Sequence, residues 1–330
     1  MNETKPLVSV MIPVYNRADL AVEAINCTLA QDYNNIEIIV GDNCSTDGTF
    51  EKLNNSFGNN EKVILFQNEQ NLGAVGNWER CLQKAKGKYV KFLWSDDLMS
   101  PDFVSKAIEL LESDSEVAFA FSSVYIFTDE EALYKDDKSK LHHYYQLKDK
   151  SGVYPGDDFI RATYYWGPSV PVSPGCAIFK REKLKLVLDI PNKIGYVHRK
   201  NGAGPDVLMF LEAIAHGEKF AYIDKPCSFF REHPGSISTY DSTIRDGYWT
   251  AKMYYLKEHN FEEYWEWMNY DIICTLNKIR VFNKKKNTNA LSKYLDMTDP
   301  HINRQSVIGA CFFKLRYKLM YEKQLRKEHE

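Results

Sequence analysis

Two adjacent carboxylates, Asp96 and Asp97, stand shortly after a mostly apolar run at residues 89–93. Ionised carboxylates this close repel each other unless water solvates them or a cation neutralises them. Hard oxygen ligands of this kind suit Mg²⁺ or Mn²⁺, especially an ion that also carries a diphosphate. The alternative is an exposed acidic turn, which is the commoner origin of such a pair.

Three further segments combine residue types that are able to do chemistry. Residues 42–49 are rich in carboxylate, amide and hydroxyl groups, as are many turns and helix N-caps. Asp206 stands at a predicted helix start, where a carboxylate acts either as a general base or as a cap. Arg231 and His233 lie near a glycine turn, in a segment that suits either a phosphate cradle or a surface loop.

These residues are embedded in a chain that alternates short apolar runs with segments of helical spacing. Strands are predicted at residues 7–12, 36–40, 63–66, 89–93, 117–127 and 220–224, and helices at 19–30, 49–57, 76–85, from 100 onward and at 207–215. Asp19 and Ser100 are the predicted N-caps of two of these helices. The alternation predicts the α/β class, with a mostly parallel sheet that helices cover on both faces.

In such sheets, ligands bind beyond the carboxyl ends of the strands. The polar segments after the second and fourth strands are therefore expected at one functional edge. Residues 130–170 are charged and then aromatic, and they suit a long loop over that edge. Residues 173–176 are expected to line the acceptor side, and Trp166 is expected in the core or on that lining.

Five ordered blocks in the first hundred residues resemble glycosyltransferase family 2, inverting enzymes of the GT-A fold. The blocks are residues 8–17, 42–49, 71–77, 85–89 and 95–97. The resemblance covers about residues 5–240. It implies a Rossmann-like, mostly parallel central sheet with helices on both faces.

The resemblance implies a binding site for a nucleotide sugar. Asp42 is expected to bind the base, and UDP is favoured because acidic residues at this position pair with uracil. Arg231 and His233 match a segment that closes over the diphosphate. The residues expected to bind the nucleotide sugar are Pro13, Tyr15, Arg17, Asp42, Asn71, Asn77, Ser95, Asp96, Arg231, His233 and Ser236.

The resemblance also implies a divalent metal and a catalytic base. Asp96 matches the metal-holding position of the family's Asp-x-Asp motif, and Asp97 and His233 are the other expected ligands of Mn²⁺ or Mg²⁺. Trp94 stands where many relatives carry the first Asp, so Ser95 is expected to supply a weaker ribose contact. Asp206 is expected to be the base that activates the acceptor hydroxyl.

The predicted function is an inverting hexosyl- or N-acetylhexosaminyltransferase of bacterial-type surface polysaccharide assembly. It would move a sugar from a UDP-sugar to a hydroxyl of a glycan acceptor, free or lipid-linked. The alternative is a catalytically inactive protein of the same fold that binds sugar nucleotides or acts as a scaffold. A nucleotide-dependent oxidoreductase is disfavoured, because no Gly-x-Gly-x-x-Gly follows the first strand.

The formal net charge of −3 combines two unlike parts. Residues 278–330 carry 13 Lys and Arg against 5 Asp and Glu, and residues 1–277 carry 29 against 40. Within the basic part, residues 306–327 interleave apolar and basic side chains. This pattern predicts either a helix on an anionic membrane surface or a helix packed on the catalytic domain or on a second subunit of a homodimer. The near-neutral total argues against nucleic acid as a partner.

The predicted organisation is a GT-A domain over residues 1–240 followed by a helical region with a basic amphipathic tail over 241–330. The domain divides into a nucleotide-binding half, 1–125, and an acceptor-side half, 126–240. No signal peptide or spanning segment is evident, and the seven cysteines are scattered. We therefore expect a cytoplasmic protein, associated with the inner face of the cell membrane if the tail binds lipid.

Overall fold

The computed structural model describes residues 5–128, 130–135, 137–164, 170–233, 244–265, 267–268 and 271–272. The chain divides into two compact units, one of Met1–Asp189 with Val197–Tyr248 and one of Ile190–Tyr196 with Trp249–Glu330. The first unit contains the sheet. The domain boundary near residue 240 stays a prediction, and the tail at 306–327 lies outside the described residues.

Strands and helices alternate along most of the first unit. The strands are β1 (Val8–Val14), β2 (Ile36–Asp42), β3 (Val63–Gln67), β4 (Tyr89–Phe92), β5 (Leu98–Met99), β6 (Val117–Phe127), β7 (His142–Tyr144), β8 (Gly152–Pro155), β9 (Ala177–Lys180) and β10 (Lys219–Arg231). The α-helices are α1 (Ala18–Leu29), α2 (Thr49–Phe57), α3 (Gly73–Lys84), α4 (Phe103–Ser113), α5 (Glu130–Tyr134), α6 (Gly156–Tyr164), α7 (Pro205–Ala213) and α8 (Ile244–Glu258). Short 3₁₀ turns occupy Pro174–Cys176, Arg181–Lys183, His198–Lys200 and Glu262–Tyr264.

The ten strands form one mixed sheet in the order β3-β2-β1-β4-β9-β6-β10-β5. The pairs β2–β3, β1–β2, β1–β4 and β6–β10 are parallel, whereas β9 runs antiparallel to both of its neighbours, β4 and β6. Off this path, β7 pairs with β6 and β8 with β10. The mostly parallel α/β sheet predicted from the sequence is confirmed.

Helices cover both faces of the sheet because successive residues of a strand point to opposite faces. Alternate residues of β1, from Val8 to Val14, share a core with side chains of α1, α2 and α4. On the other face of the sheet, α3 packs against Gly41 of the neighbouring strand β2. A Cβ at Gly41 would lie 2.6 Å from the Cys81 Sγ of α3, so only glycine lets this helix pack so closely.

Three predictions of local structure need correction. The predicted loop at 130–170 contains α5, β7, β8 and α6, because its short strands pair with the long β6 and β10. The helix predicted from Ser100 begins at Phe103, and the Ser100 hydroxyl instead donates to the Asp102 carboxylate at 2.7 Å. Asp19 lies in the first turn of α1 rather than at its N-cap position.

Within the described residues, no helix is both long enough and apolar enough to cross a bilayer.

Candidate active site

The loops that follow β1 and β2 begin level with each other and are joined by hydrogen bonds. Val14 is in register with Asp42, the last residues of the two strands. In the loop after β1, Asn16 adopts a left-handed conformation with φ of 51°. Its backbone N–H donates to the Ser45 hydroxyl at 2.9 Å, and its side-chain oxygen accepts from the Thr46 N–H at 2.9 Å. These bonds fix the loop that presents Arg17.

A short antiparallel pairing brings the end of β10 to the acidic pair. β5 follows Asp97 directly, and its Leu98 is in register with Phe229 of β10. The next residues of β10 therefore pass beside the acidic turn, where the Arg231 N–H donates to Asp97 Oδ1 at 2.9 Å. His233 follows two residues later.

Two side chains from other strand ends meet at the carboxylate of Asp96. The Arg17 guanidinium donates to its Oδ2, and the Nε2 of His233 lies 3.0 Å from the same oxygen. The Asp96 side chain is 14% exposed, so this ion pair is only partly screened by water. Three residues that the sequence predicts for the diphosphate end are thus brought together from β1, β4 and β10.

Asp97 is placed differently from its neighbour. It is buried, and burial, followed by the nearby charge of Asp96, raises the pKa of its carboxyl well above the usual range. With one oxygen bonded to the Arg231 backbone, it braces the turn and does not join Asp96 and His233. That Asp97 is a metal ligand stays a prediction, and the partner it has in the structure is the backbone of β10.

Arg231 has several partners within the protein. Its guanidinium donates to Glu23, to Glu130 and to the Asp96 carbonyl oxygen, and it lies over the Phe127 ring with its Cζ 5.0 Å from the centroid. Because both ends of the guanidinium bond protein carboxylates, it ties β10 to α1 and α5. Its predicted role at the diphosphate stays a prediction.

A divalent cation fits the donor atoms of this cluster only together with its substrate. Among the residues that the structure describes, no three His, Cys, Asp or Glu side chains form a metal-binding group. Asp96 and His233 nevertheless offer one carboxylate oxygen and one imidazole nitrogen 3.0 Å apart. Mg²⁺ is usually held by one or two carboxylates plus substrate phosphates and water, and imidazole suits Mn²⁺ less well than oxygen does. The pair therefore suits an ion that arrives with a diphosphate.

The residues predicted to bind the nucleotide lie at the ends of β1 and β2. Asp42 is 1% exposed and accepts from the Ser45 N–H at 3.0 Å, from the Ser45 hydroxyl and from Gln67 Nε2 at 2.8 Å. These hydrogen bonds hold its carboxylate in place at the end of the strand. Tyr15 is 43% exposed and leaves an aromatic face available to a base, beside a half-buried Pro13.

An asparagine network supports this side of the site. Asn43 donates to Asn71 Oδ1 at 2.9 Å and accepts from Asn68 Nδ2 at 3.2 Å. Asn77, a predicted nucleotide-sugar contact, is 2% exposed and donates to the Gly41 carbonyl at 2.7 Å, so it packs α3 on β2 instead. Asn71 is exposed and stays a candidate for substrate contact.

Asp206 is buried at the first turn of α7, 8% exposed. Its Oδ1 accepts from the N–H groups of Gly204 at 2.9 Å and Val207 at 2.7 Å, so it binds backbone donors at the start of the helix although Gly204 is the N-cap residue. Its Oδ2 accepts from the Tyr248 hydroxyl at 2.9 Å. Burial outweighs these hydrogen bonds and raises the pKa of Asp206 to about 7. Such a value suits a general base at neutral pH.

Sequence reasoning missed Tyr248 and Lys91. Tyr248 carries no sequence signal, because only the fold brings the start of α8 to Asp206. Lys91 does carry one, since it is a charged residue inside an apolar strand. It is fully buried and donates to the carbonyls of Phe92 at 2.9 Å and Gly175 at 2.5 Å, and burial lowers its pKa to about 8.

Three predicted residues need brief mention. Ser95 is buried, at 5% exposure, beside Asp96. Ser236 and Trp166 lie outside the described residues.

Comparisons with known proteins agree with this arrangement. The family model described as glycosyl transferase family 2 matches residues 9–188, more than half of the chain. The Bacillus subtilis putative teichuronic acid biosynthesis glycosyltransferase TuaG is 37% identical over 122 residues, which are 37% of this chain and 48% of TuaG. The Escherichia coli UDP-Glc:alpha-D-GlcNAc-diphosphoundecaprenol beta-1,3-glucosyltransferase WfaP is 37% identical over 123 residues, 37% of this chain and 48% of WfaP. The chain thus spans about half the length of these curated relatives.

The fold has a solved counterpart. The crystal structure of Staphylococcus aureus TarS 1-349 in complex with UDP-GlcNAc has a TM-score of 0.63 and 17% identity, over 88% of this chain and 79% of that one. At this identity the likeness concerns the fold, and it confirms the predicted GT-A architecture. With the family model across β1 to β9 and this sheet order, the chain belongs to glycosyl transferase family 2.

Proposed function

We propose that this protein is an inverting glycosyltransferase that moves a sugar from a UDP-sugar to a hydroxyl of a glycan acceptor. The observation that carries the proposal is the meeting of Arg17 and His233 at the Asp96 carboxylate, at the carboxyl edge of a GT-A sheet. A guanidinium, an imidazole and a carboxylate, which follow three distant strands, form a place for a diphosphate and its counter-ion.

The donor would bind across the ends of β1, β2 and β4. Tyr15 would stack on the base, and Asp42 would accept from the N–H of uracil. Asp96 and His233 would hold Mn²⁺ or Mg²⁺, which, when bound, neutralises charge on the departing diphosphate. Arg17 is paired with Asp96 and lies close enough to exchange this carboxylate for a phosphate oxygen.

Asp206 would act as the base on the acceptor side. An ionised carboxylate has about four acceptor positions, and three hydrogen bonds occupy this one. One lone pair therefore remains for the proton of the incoming hydroxyl. A single displacement opposite the leaving group inverts the anomeric centre.

The names of the relatives support the broader setting. TuaG is named for teichuronic acid biosynthesis, and WfaP for a diphosphoundecaprenol acceptor. The TarS complex holds UDP-GlcNAc. We therefore propose a role in surface polysaccharide assembly, with a glycan or lipid-linked glycan as the acceptor.

A thermal-shift screen tests the proposal at the level of binding. A ligand that binds only the native state raises Tm, and at a given concentration a tighter ligand raises it more. UDP and UDP-sugars with Mn²⁺ are expected to raise Tm, whereas GDP, ADP and NAD with Mn²⁺ are not. Protection by NAD, or by no nucleotide at all, would contradict the proposal. Protection by UDP without any turnover would indicate the inactive sugar-nucleotide-binding alternative.

The basic tail at 306–327 is proposed to bind the anionic cytoplasmic face of the membrane. Each Lys or Arg near such a surface contributes about 1 kcal/mol. Replacing Lys314, Lys318 and Lys323 with Glu in the full chain should abolish co-sedimentation with phosphatidylglycerol vesicles at low salt. The matched control reverses the same number of charges at residues 284–286, outside the amphipathic segment. Equal sedimentation of both variants and the wild type would remove the membrane role.

A further inference from the structure

Two indole rings lie between the turn that carries Asp96 and the loop that carries Asp206. Trp94 precedes Asp96 by two residues, and its ring centroid is 4.9 Å from that of Trp78 on α3, with 35° between the planes. Phe92 of β4 packs on Trp94 from 5.8 Å and on Trp78 from 6.1 Å. The turn after β4 is therefore set against α3 through aromatic contacts.

The loop before Asp206 rests on the other side of the same pair. A Cβ at Gly202 would lie 2.0 Å from the Cη2 of Trp78, so the loop backbone is in direct contact with this ring. Gly202 has φ of +81°, and its carbonyl accepts the Asp206 N–H at 3.2 Å. The backbone of Asp206 is thus hydrogen-bonded to a residue that packs directly on the Trp78 ring.

Trp94 also holds the turn at Pro174–Cys176. Its Nε1–H donates to the Ser173 hydroxyl at 2.8 Å, and that hydroxyl accepts the Gly175 N–H at 3.3 Å. A Cβ at Gly175 would lie 2.9 Å from the same indole nitrogen. The Lys91 ammonium of β4 donates to the Gly175 carbonyl at 2.5 Å. The turn expected on the acceptor side is therefore held at the Ser173 hydroxyl by Trp94 and at the Gly175 carbonyl by Lys91.

We infer that the Trp78–Trp94 pair is a spacer that sets the separation of Asp96 and Asp206, and that Trp94 is a positioning residue for the displacement. The inference rests on the proposed function, in which Asp96 serves the diphosphate and Asp206 the nucleophile. In-line attack requires both groups in register, and a misplacement of about 1 Å costs about 10²-fold in rate. A rigid pair of rings in contact with both segments meets this requirement.

A double-mutant cycle on Gly202 and Trp78 tests the inference, with UDP-sugar hydrolysis as the reaction. Gly202→Ala pushes the loop off the ring and should lower kcat about 10- to 100-fold while the donor KM changes little. Trp78→Phe removes the ring atoms that the new Cβ would strike. An alanine at φ of +81° keeps its backbone strain in either background. The double variant should therefore recover most, but not all, of the kcat that Gly202→Ala alone loses, which is a clear departure from additivity.

Loss of ordinary core packing would look different. Phe57→Leu in α2 is the matched control, because Phe57 is buried in the core on the opposite face of the sheet. It should lower Tm and leave kcat unchanged below the transition. If Gly202→Ala likewise lowers only Tm, or if its effect on kcat adds to that of Trp78→Phe, the spacer role is overturned. In both of these outcomes the wild type still hydrolyses the UDP-sugar, so the proposed function stands. Absence of hydrolysis in the wild type would instead remove the proposed function, and the inference with it.

Discussion

Asp206→Asn should abolish turnover and, at alkaline pH, stabilise the fold. Loss of a general base typically lowers kcat about 10²- to 10⁴-fold, and the affinity for UDP with Mn²⁺ should stay near that of the wild type. The amide fits the existing hydrogen bonds. Its oxygen can accept from Gly204 and Val207, and its NH₂ can donate to the Tyr248 oxygen. Steady-state kinetics and UDP titration measure the two effects separately.

The stability gain follows from the raised pKa of Asp206. The unfolded carboxyl loses its proton near pH 3.8 and the folded one near pH 7, where Tyr145 and Tyr248 are the titratable side chains that face it. Between these pH values the folded state binds more protons, so stability falls as the pH rises and levels off above about 7. At about 1.4 kcal/mol per unit, the loss is on the order of 4 kcal/mol. Asn avoids it.

Melting curves from pH 5 to pH 8 check this prediction. The Tm of Asp206→Asn should exceed that of the wild type most at pH 8 and least at pH 5. Asp102→Asn is the matched control, a carboxylate at the start of α4. Partial burial acts against ionisation there, but hydrogen bonds from Lys106 and Ser100 lower its pKa. Its loss should lower Tm at pH 8. A fall in Tm for both variants would contradict the burial account. The wild-type kcat should rise with pH through about 7 and then level off.

Asp96→Asn should remove the metal dependence of donor binding. An amide carries no charge with which to balance the Arg17 guanidinium or a divalent ion. Loss of one preorganised electrostatic group costs about 10²- to 10³-fold in kcat. Isothermal titration with UDP, with and without Mn²⁺, should show no Mn²⁺-dependent gain in affinity for this variant, whereas the wild type shows one.

Asp97→Asn is the internal control for the acidic pair. Because Asp97 is buried and bonds the Arg231 N–H, its amide should keep that bond and leave the Mn²⁺ dependence of UDP binding intact. If Asp97→Asn loses that dependence and Asp96→Asn keeps it, the assignment of the metal to Asp96 is wrong.

The fold was predictable from the sequence where local pattern and burial agree. The helix Thr49–Phe57 and the strand Val117–Phe127 have the bounds that the sequence predicts, because turn residues flank each and its apolar spacing is unambiguous. The region 130–170 was not predictable, since β7 and β8 are short and exist only by pairing with β6 and β10. Tertiary pairing overrides weak local propensity there.

The site was predictable in its residues but less so in its contacts. Ordered motifs named Asp96, His233 and Asp206, which the structure places at strand ends and at a helix start. Motifs could not indicate that Arg231 is bound by Glu23 and Glu130, because those partners come from α1 and α5. Nor could they indicate that Trp94, which departs from the family pattern, packs on Trp78. Such contacts depend on how the elements fold together.

Early ¹H NMR of UDP-glucose hydrolysis with Mg²⁺ tests the central claim most directly, because it reports both the reaction and its stereochemistry. The donor is an α-glucoside, so a single displacement by a water that Asp206 activates must release β-glucose first, before mutarotation. We expect the wild type to release β-glucose and UDP, or UDP and the inverted anomer of the sugar if the binding screen selects another UDP-hexose. We expect neither product from Asp206→Asn. Release of the α-anomer first, or equal turnover by the Asp206→Asn variant, would contradict it.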